Sequence, residues 1–235
     1  MAIAVVRPAD APQPGDGYVQ SFARGLEVIR SFSAQAPQQT LSEVASRTGL
    51  SRAGARRILL TLQTLGYVET DGRLFRLTAR ILDLGFAYLS SMPIWSLADP
   101  VMEALVEEVK ESCSAAVLDG TDIVYVLRVP VHKIMRISLG VGSRLPAYCT
   151  SMGRVLLAGL PDAQAEQRLA ASDCQRLTRT TLTELDALMA SVRQARQQGW
   201  CLVDQELEEG LISLAAPITD RAGTTVAALN ISGQA

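Results

Sequence analysis

The stretch TLSEVASRTGLSRAGARRILLTLQTLGYVETDGRLFRL, residues 40–77, decides how the N-terminal part of the chain folds. Leu41, Val44 and Ala45 recur at helical spacing, and so do Ile58, Leu59, Leu62 and Leu65. Thr40 or Leu41 opens the first helix, where Ser42 and Glu43 suit the free N–H groups of a helix start. Gly49 stops it, because glycine tolerates the left-handed conformation that follows a helix. Ser51 is the expected N-cap of the second helix, and Gly66 its end. YVETDGRLFRL then alternates around Asp71-Gly72, a hairpin signal because both residues accept positive φ. Helix, glycine turn, helix and two-stranded wing together predict a winged helix-turn-helix.

That arrangement has a direct chemical reading. The major groove of DNA admits one helix, and the preceding helix braces it across the backbone. If Ile58, Leu59, Leu62 and Leu65 pack inward, Ser51, Arg52, Ala53, Arg56 and Arg57 are left near the exposed start of the second helix. Arginine suits guanine through its bidentate fork. Ser51, Ala53 and Gly54 are small enough for close approach. Arg73 and Arg76 on the wing are placed to reach phosphate or the minor groove. Each arginine alone is equally compatible with a solvated helix face; the combination carries the reading.

Charge agrees. Residues 18–80 hold nine arginines against four acids, a surplus of five positive charges, whereas residues 81–235 hold 12 Lys/Arg against 18 Asp/Glu. Only the first block is suited to a polyanion. Residues 18–33 read as a further helix with Phe22, Leu26 and Ile29 inward, flanked by Val19 and Phe32. Residues 79–91 read as a connecting helix built on Ile81, Leu82, Leu84 and Leu89. Residues 1–17, rich in Pro, Gly and Asp, are expected to be a disordered arm. The expected division is an arm at 1–17, a DNA-binding domain at 18–78, a linker helix at 79–93 and a second domain at 94–235.

The second domain opens with an amphipathic helix near 97–111. SAAVLDGTDIVYVLRV reads as a hairpin around Asp119-Gly120, and IMRISLG as a strand. SMGRVLLAGL reads as a helix closed by Gly159 and Pro161, and 183–198 as a helix stopped at Gly199. LISLAAPI and TTVAALNIS read as strands joined by a turn at 220–223. Helices and strands mix without βα alternation, so the class is α+β with antiparallel pairing. The helix start at Thr150–Gly153, after Leu145-Pro146, offers free N–H groups to an anion such as a carboxylate.

Several functions are disfavoured. The four cysteines, Cys113, Cys149, Cys174 and Cys201, form no CxxC pair and the single histidine is His132, so no zinc site or Cys–His pair is expected. Such scattered cysteines suit a reducing cytoplasm. GVGSRLP at 140–146 lacks the third glycine of a dinucleotide fingerprint. No apolar run reaches membrane-spanning length, and no membrane partner or cofactor is expected. Trp95 and Trp200 read as core anchors and His132 as a surface loop residue. Two other classes make distinct predictions. An enzyme with an N-terminal interaction domain would show turnover in residues 95–235. A protein-interaction module would show DNA affinity that is absent or insensitive to salt.

SFARGLEVIRSF and TLSEVASRTGLSRAGARRILLTLQTLGYV resemble the DNA-binding head of the IclR family of bacterial transcription regulators. VGSRLPAYCTSMGRVLLAGL and GWCLVDQELEEGLISLAAPITDRAGTTVAALNISG resemble its ligand-binding domain, so the resemblance covers residues 18–235. It implies a winged helix, a linker helix and a GAF/PAS-like effector domain. It implies a homodimer or tetramer that reads a palindromic operator in double-stranded DNA, and no catalysis. It implies an effector site at Leu145, Ser151, Met152, Asp204, Ser213, Asn230 and Ser232, where Asp204 receives a hydroxyl proton or a water because two carboxylates repel. RLPAYCTSMGR most resembles regulators of aromatic-acid catabolism through the β-ketoadipate pathway, which implies a small carboxylic acid such as protocatechuate or β-ketoadipate as effector. Members of the family usually continue past the final strand into a C-terminal helix, whereas this chain ends at Ser232-Gly233-Gln234-Ala235.

Overall fold

The computed structural model describes residues 15, 17–91, 94–131 and 139–235. Contacts divide the chain into two units that part between residues 91 and 94. The N-terminal unit holds α1 (Gln20–Ser31), β1 (Gln38–Thr40), α2 (Leu41–Thr48), α3 (Arg52–Thr64), β2 (Val68–Thr70) and β3 (Leu74–Leu77). A 3-10 turn (Ala79–Ile81) then runs into α4 (Leu82–Ser90).

The helix boundaries follow local chemistry. At the start of α2 the Thr40 hydroxyl accepts from the Glu43 N–H at 3.3 Å and the Glu43 carboxylate accepts from the Thr40 N–H at 2.7 Å, a reciprocal capping box. Those bonds from Thr40 hold the Glu43 carboxyl below its usual range. Gly49 ends α2 at φ 66°, and Ser51 caps α3 by accepting from the Gly54 N–H. The wing pairs antiparallel with Thr70 opposite Phe75, and β1 adds a third strand in the order β1-β3-β2.

Core positions differ in part from the periodic reading. Val28, Val44, Ala45, Ala55, Leu59, Leu62 and Val68 form the buried cluster, with Ile29, Phe32, Leu41 and Ile58 packed against it. Ala55 heads the buried stripe of α3, whereas Leu65, expected inward, is exposed at the helix end. On α1, Val28 is fully buried while Val19, Phe22 and Leu26 face outward. No residue of α4 is buried.

The C-terminal unit contains α5 (Ile94–Val109), β4 (Ser112–Asp119), β5 (Asp122–Val129), β6 (Arg144–Pro146), α6 (Ser151–Ala158), α7 (Asp162–Ala170), α8 (Leu185–Gln198), β7 (Cys201–Asp204), β8 (Leu211–Thr219) and β9 (Thr225–Gln234). One antiparallel sheet runs β6-β5-β4-β9-β8-β7. Helices α6 and α8 pack on it over a core that includes Tyr148, Met152, Leu157, Leu188, Val192, Ala215 and Ala228. Helix α5 packs on β4 and β5 through a surface outside that cluster, where Met102 is fully buried.

Some sequence expectations move. Asp119 pairs with Asp122, so the hairpin turn is Gly120-Thr121, one residue later than expected. Helix α5 begins at Ile94 rather than 97, and α8 at Leu185 rather than 183. The short strands β1, β6 and β7 and helix α7 carry too little periodicity to be read from sequence. Trp95 is buried, but Trp200 is 44% exposed and is no core anchor. The strand expected over IMRISLG, except its last two residues, and the loop position of His132 lie outside the described residues, as does nearly all of the N-terminal arm.

Leu59 sits at the centre of the small N-terminal core with no exposure. Leu59→Ala is expected to destabilise this unit by about 2–5 kcal/mol in chemical denaturation. A loss below about 1 kcal/mol contradicts the packing described.

Candidate functional site

In the N-terminal unit, the buried stripe of α3 fixes what its other side presents. At about 100° per residue, Ala53 and Arg57 lie opposite Ala55, Leu59 and Leu62, and Arg56 lies to their side. Ser51, Arg52, Ala53, Arg56 and Arg57 are all exposed. On the wing, Arg73 and Arg76 are exposed as well, but they are not equivalent. Arg76 Nε donates to the Glu69 carboxylate at 2.7 Å across the hairpin. The Asp71 carboxylate accepts from the N–H groups of Leu74 and Arg73, which lowers its pKa and shapes the turn that carries Arg73.

In the C-terminal unit a cleft, partly open to solvent, lies between the sheet and the start of α6. Leu145, Ser151, Met152, Ser213, Asn230 and Ser232 all line it. Asp204 does not: it is exposed at the end of β7, and its carboxylate accepts from the Gln205 side chain at 3.2 Å. The alternating face of β7 explains this. Cys201 and Val203 point inward and Leu202 and Asp204 outward.

The polar groups form a chain across strands. Asn230 Nδ2 donates to Ser213 Oγ at 2.9 Å, and Ser213 Oγ lies 2.6 Å from Ser151 Oγ. Asn230 is 5% exposed and its Oδ1 has no partner. At the start of α6, Thr150 Oγ1 accepts from the Gly153 N–H at 3.2 Å. Of the N–H groups at 151–153, Gly153's is therefore consumed by the cap, and those of Ser151 and Met152 remain without an intrahelical acceptor. Gly153 also allows α6 to lie against the preceding chain, since a Cβ there would collide with the Ala147 carbonyl oxygen.

The loop between β7 and β8 closes another side, with Leu207 and Glu208 on the cleft. It is tied to α6 by a buried bidentate pair: Arg154 donates to the two Glu206 oxygens at 2.6 and 2.5 Å. Arg154 Nε also donates to the Tyr148 carbonyl, and the Leu182 N–H donates to Glu206. Thr178, Thr180 and Thr181 donate their hydroxyls to the carbonyls of Gln205 and Glu206. Gln205 itself sits at φ 58°, a left-handed conformation costly for a residue with a side chain, held by these bonds.

Sequence reasoning missed Tyr125, Arg128, Leu139, Cys149, Val203, Leu207, Glu208 and Leu211 as cleft residues. For Tyr125 and Arg128 the cause is a β-bulge. Ala116 pairs with Tyr125 and Ala115 with Leu127, which leaves Val126 as the extra residue. Residues three apart on a regular strand face opposite sides; the bulge brings both to one face. Burial pushes the Tyr125 phenol up to about 12, opposed by the nearby Arg128 guanidinium. Burial likewise pushes the Cys149 thiol up to about 12, so it is protonated at neutral pH and a poor nucleophile. Among the described residues no cluster of three metal-ligating side chains occurs, and no single helix is long and apolar enough to cross a membrane.

A winged helix-turn-helix followed by a curled antiparallel sheet with a small-molecule cleft defines a one-component, ligand-responsive transcriptional regulator. The IclR helix-turn-helix domain family matches residues 21–72, and the bacterial transcriptional regulator IclR C-terminal family matches residues 86–235. The chain belongs to the IclR family and is a DNA-binding regulator rather than an enzyme. It is 44% identical over 216 residues to the Pca regulon regulatory protein of Pseudomonas putida, covering 92% of this chain and 74% of that protein. A transcriptional regulator from Rhodococcus sp. RHA1 is 54% identical with a TM-score of 0.82, covering 92% of this chain and 87% of the other. An IclR homolog from Microbacterium hydrocarbonoxydans, solved in complex with 4-hydroxybenzoate, is 25% identical with a TM-score of 0.81, covering 91% and 89%.

Removing Glu206 leaves the Arg154 charge buried and unpaired. Glu206→Ala is expected to cost about 3–5 kcal/mol of stability in chemical denaturation of the C-terminal unit. A variant as stable as the parent would mean that the pair is open in solution.

Proposed function

We propose that α3 enters the major groove with Arg52 and Arg56 reading base edges, while Ser51 and Ala53 allow close approach and Arg57 joins the contact. The observation that carries this is the exposed basic start of a capped helix whose opposite face is buried. Arg73 and Arg76 serve the phosphates. The Arg76 charge is already shared with Glu69, so Arg73 is the stronger contact. The protein acts in the cytoplasm as a homodimer or tetramer on a palindromic operator, with half-sites about one helical turn, ~10 bp, or a multiple apart. Phe22, Leu82 and Phe86, each close to 70% exposed in the single chain, support a second copy covering α1 and α4.

Selection of bound sequences from random DNA tests the operator. Arg52→Ala or Arg56→Ala is expected to weaken binding by about 1–3 kcal/mol and relax sequence preference. Arg73→Ala is expected to weaken all sequences alike and reduce the slope of affinity against salt. If both α3 substitutions leave affinity and preference unchanged, α3 is not the reading helix.

The effector we propose is a small aromatic acid in the cleft lined by Leu145, Ser151, Met152, Ser213, Asn230 and Ser232. Support comes from the unpaired Asn230 Oδ1, the two free N–H groups of α6, and the 4-hydroxybenzoate held by the Microbacterium relative. A thermal-shift screen of aromatic and aliphatic acids tests it. The true effector is expected to stabilise the protein by about 2.7 kcal/mol at one hundred times its Kd and to change DNA affinity. Ser213→Leu is expected to abolish that shift while DNA binding without effector persists. If no acid shifts the transition, the cleft is not the sensor.

A further inference from the structure

We propose that Arg128 is the counter-charge for the effector's carboxylate and that the Ser151–Ser213–Asn230 cluster receives a hydroxyl at the ligand's other end. The cleft therefore selects a hydroxylated aromatic monoacid over its uncharged analogue and over a dicarboxylate. This inference rests on the reading of the cleft as the effector site.

Three observations lead to it. Arg128 is half-buried and lines the cleft, and among the described residues it has no ion pair and no hydrogen bond. A guanidinium drawn partly out of water, with Glu208 on the same cleft but not at ion-pair distance, gains from a carboxylate that enters beside it. Arg128 is there because of the Val126 bulge, which turns it to the same face as Tyr125. The bulge thus serves to aim a charged side chain.

The second observation is position. Arg128 pairs with Ser114, and Ser114 with Asn230, so one row crosses β5, β4 and β9. At roughly 4.8 Å per strand, the backbones at Arg128 and Asn230 stand roughly 10 Å apart, with Ser213 on the next strand beyond. The long arginine side chain spans part of that distance. The remaining gap suits one aromatic ring with polar groups at opposite ends. Leu145, Leu139 and Met152 supply an apolar wall for the ring.

The third observation is the valence of the far end. Asn230 Oδ1 is an acceptor without a donor in a residue 95% buried, as its 5% exposure gives. A carboxylate brings no proton to it, whereas a phenol does. The phenol oxygen in turn accepts from the free N–H of Ser151 or Met152. A second carboxylate at this end would leave Asn230 Oδ1 unpaired and set against negative charge.

Isothermal titration calorimetry on the full chain with 4-hydroxybenzoate, 4-hydroxybenzamide and benzoate decides the matter. The parent protein is expected to favour the acid over the amide by roughly ten- to a hundredfold. Arg128→Gln is expected to bring that ratio to within about threefold, and Arg128→Lys to keep most of it. Asn230→Leu is expected to erase the preference for 4-hydroxybenzoate over benzoate. Circular dichroism without ligand confirms folding, and Arg128→Met replaces Arg128→Gln if the latter unfolds. If the acid binds the parent but the ratio survives loss of the arginine, the carboxylate lies at α6; the inference is then overturned and the cleft reading stands. If no acid binds the parent, the cleft reading fails and this inference fails with it.

Discussion

The geometry of the cleft depends on the buried pair between Arg154 and Glu206. Arg154 belongs to the helix whose first residues form one wall, and Glu206 to the loop that forms another. Two charges held out of water gain little net stability over apolar packing, but separating them is expensive. The pair therefore fixes arrangement more than it adds strength. The Thr178, Thr180 and Thr181 hydroxyls, which hold Gln205 left-handed, reinforce the same register. With both walls pinned, Ser151 meets Ser213 at hydrogen-bond distance and the sheet floor is presented at a defined depth.

The head was legible in the sequence because its signals are local. Ser51 caps where a serine before a basic, apolar-periodic run should cap, and Gly49 and Asp71-Gly72 turn where their φ freedom allows. Errors arose where burial depends on the neighbouring surface. Phe22 and Leu26 have the right spacing for a core face, but Val28 fills that role in the single chain. Leu65 continues the α3 stripe in sequence yet falls where the helix has ended.

The candidate effector site is half legible for a different reason. Small polar residues at a helix start and on alternating strand positions could be carried over from family resemblance, and six of the seven line the cleft. Asp204 lies off the cleft because it stands one residue past Val203, on the outward face of β7. Arg128 was missed because strict alternation hides it. Only pairing across the sheet shows that Val126 is an extra residue, and no pattern in DIVYVLRV marks it. Cross-strand register is a tertiary property, and a one-residue slip exchanges every side chain between faces.

The contact between Gly153 and Ala147 limits how this sensor can be diversified. With no space for a Cβ at that residue, neither drift nor laboratory evolution can replace Gly153 without dislodging α6. Ser213, Ser232 and Leu211 line the cleft from the strands and lie outside the packed core, so they are the positions where its shape can change without disturbing α6. A library for a biosensor with a larger aromatic ligand is best confined to those strands, leaving Gly153, Arg154 and Glu206 as invariant scaffold.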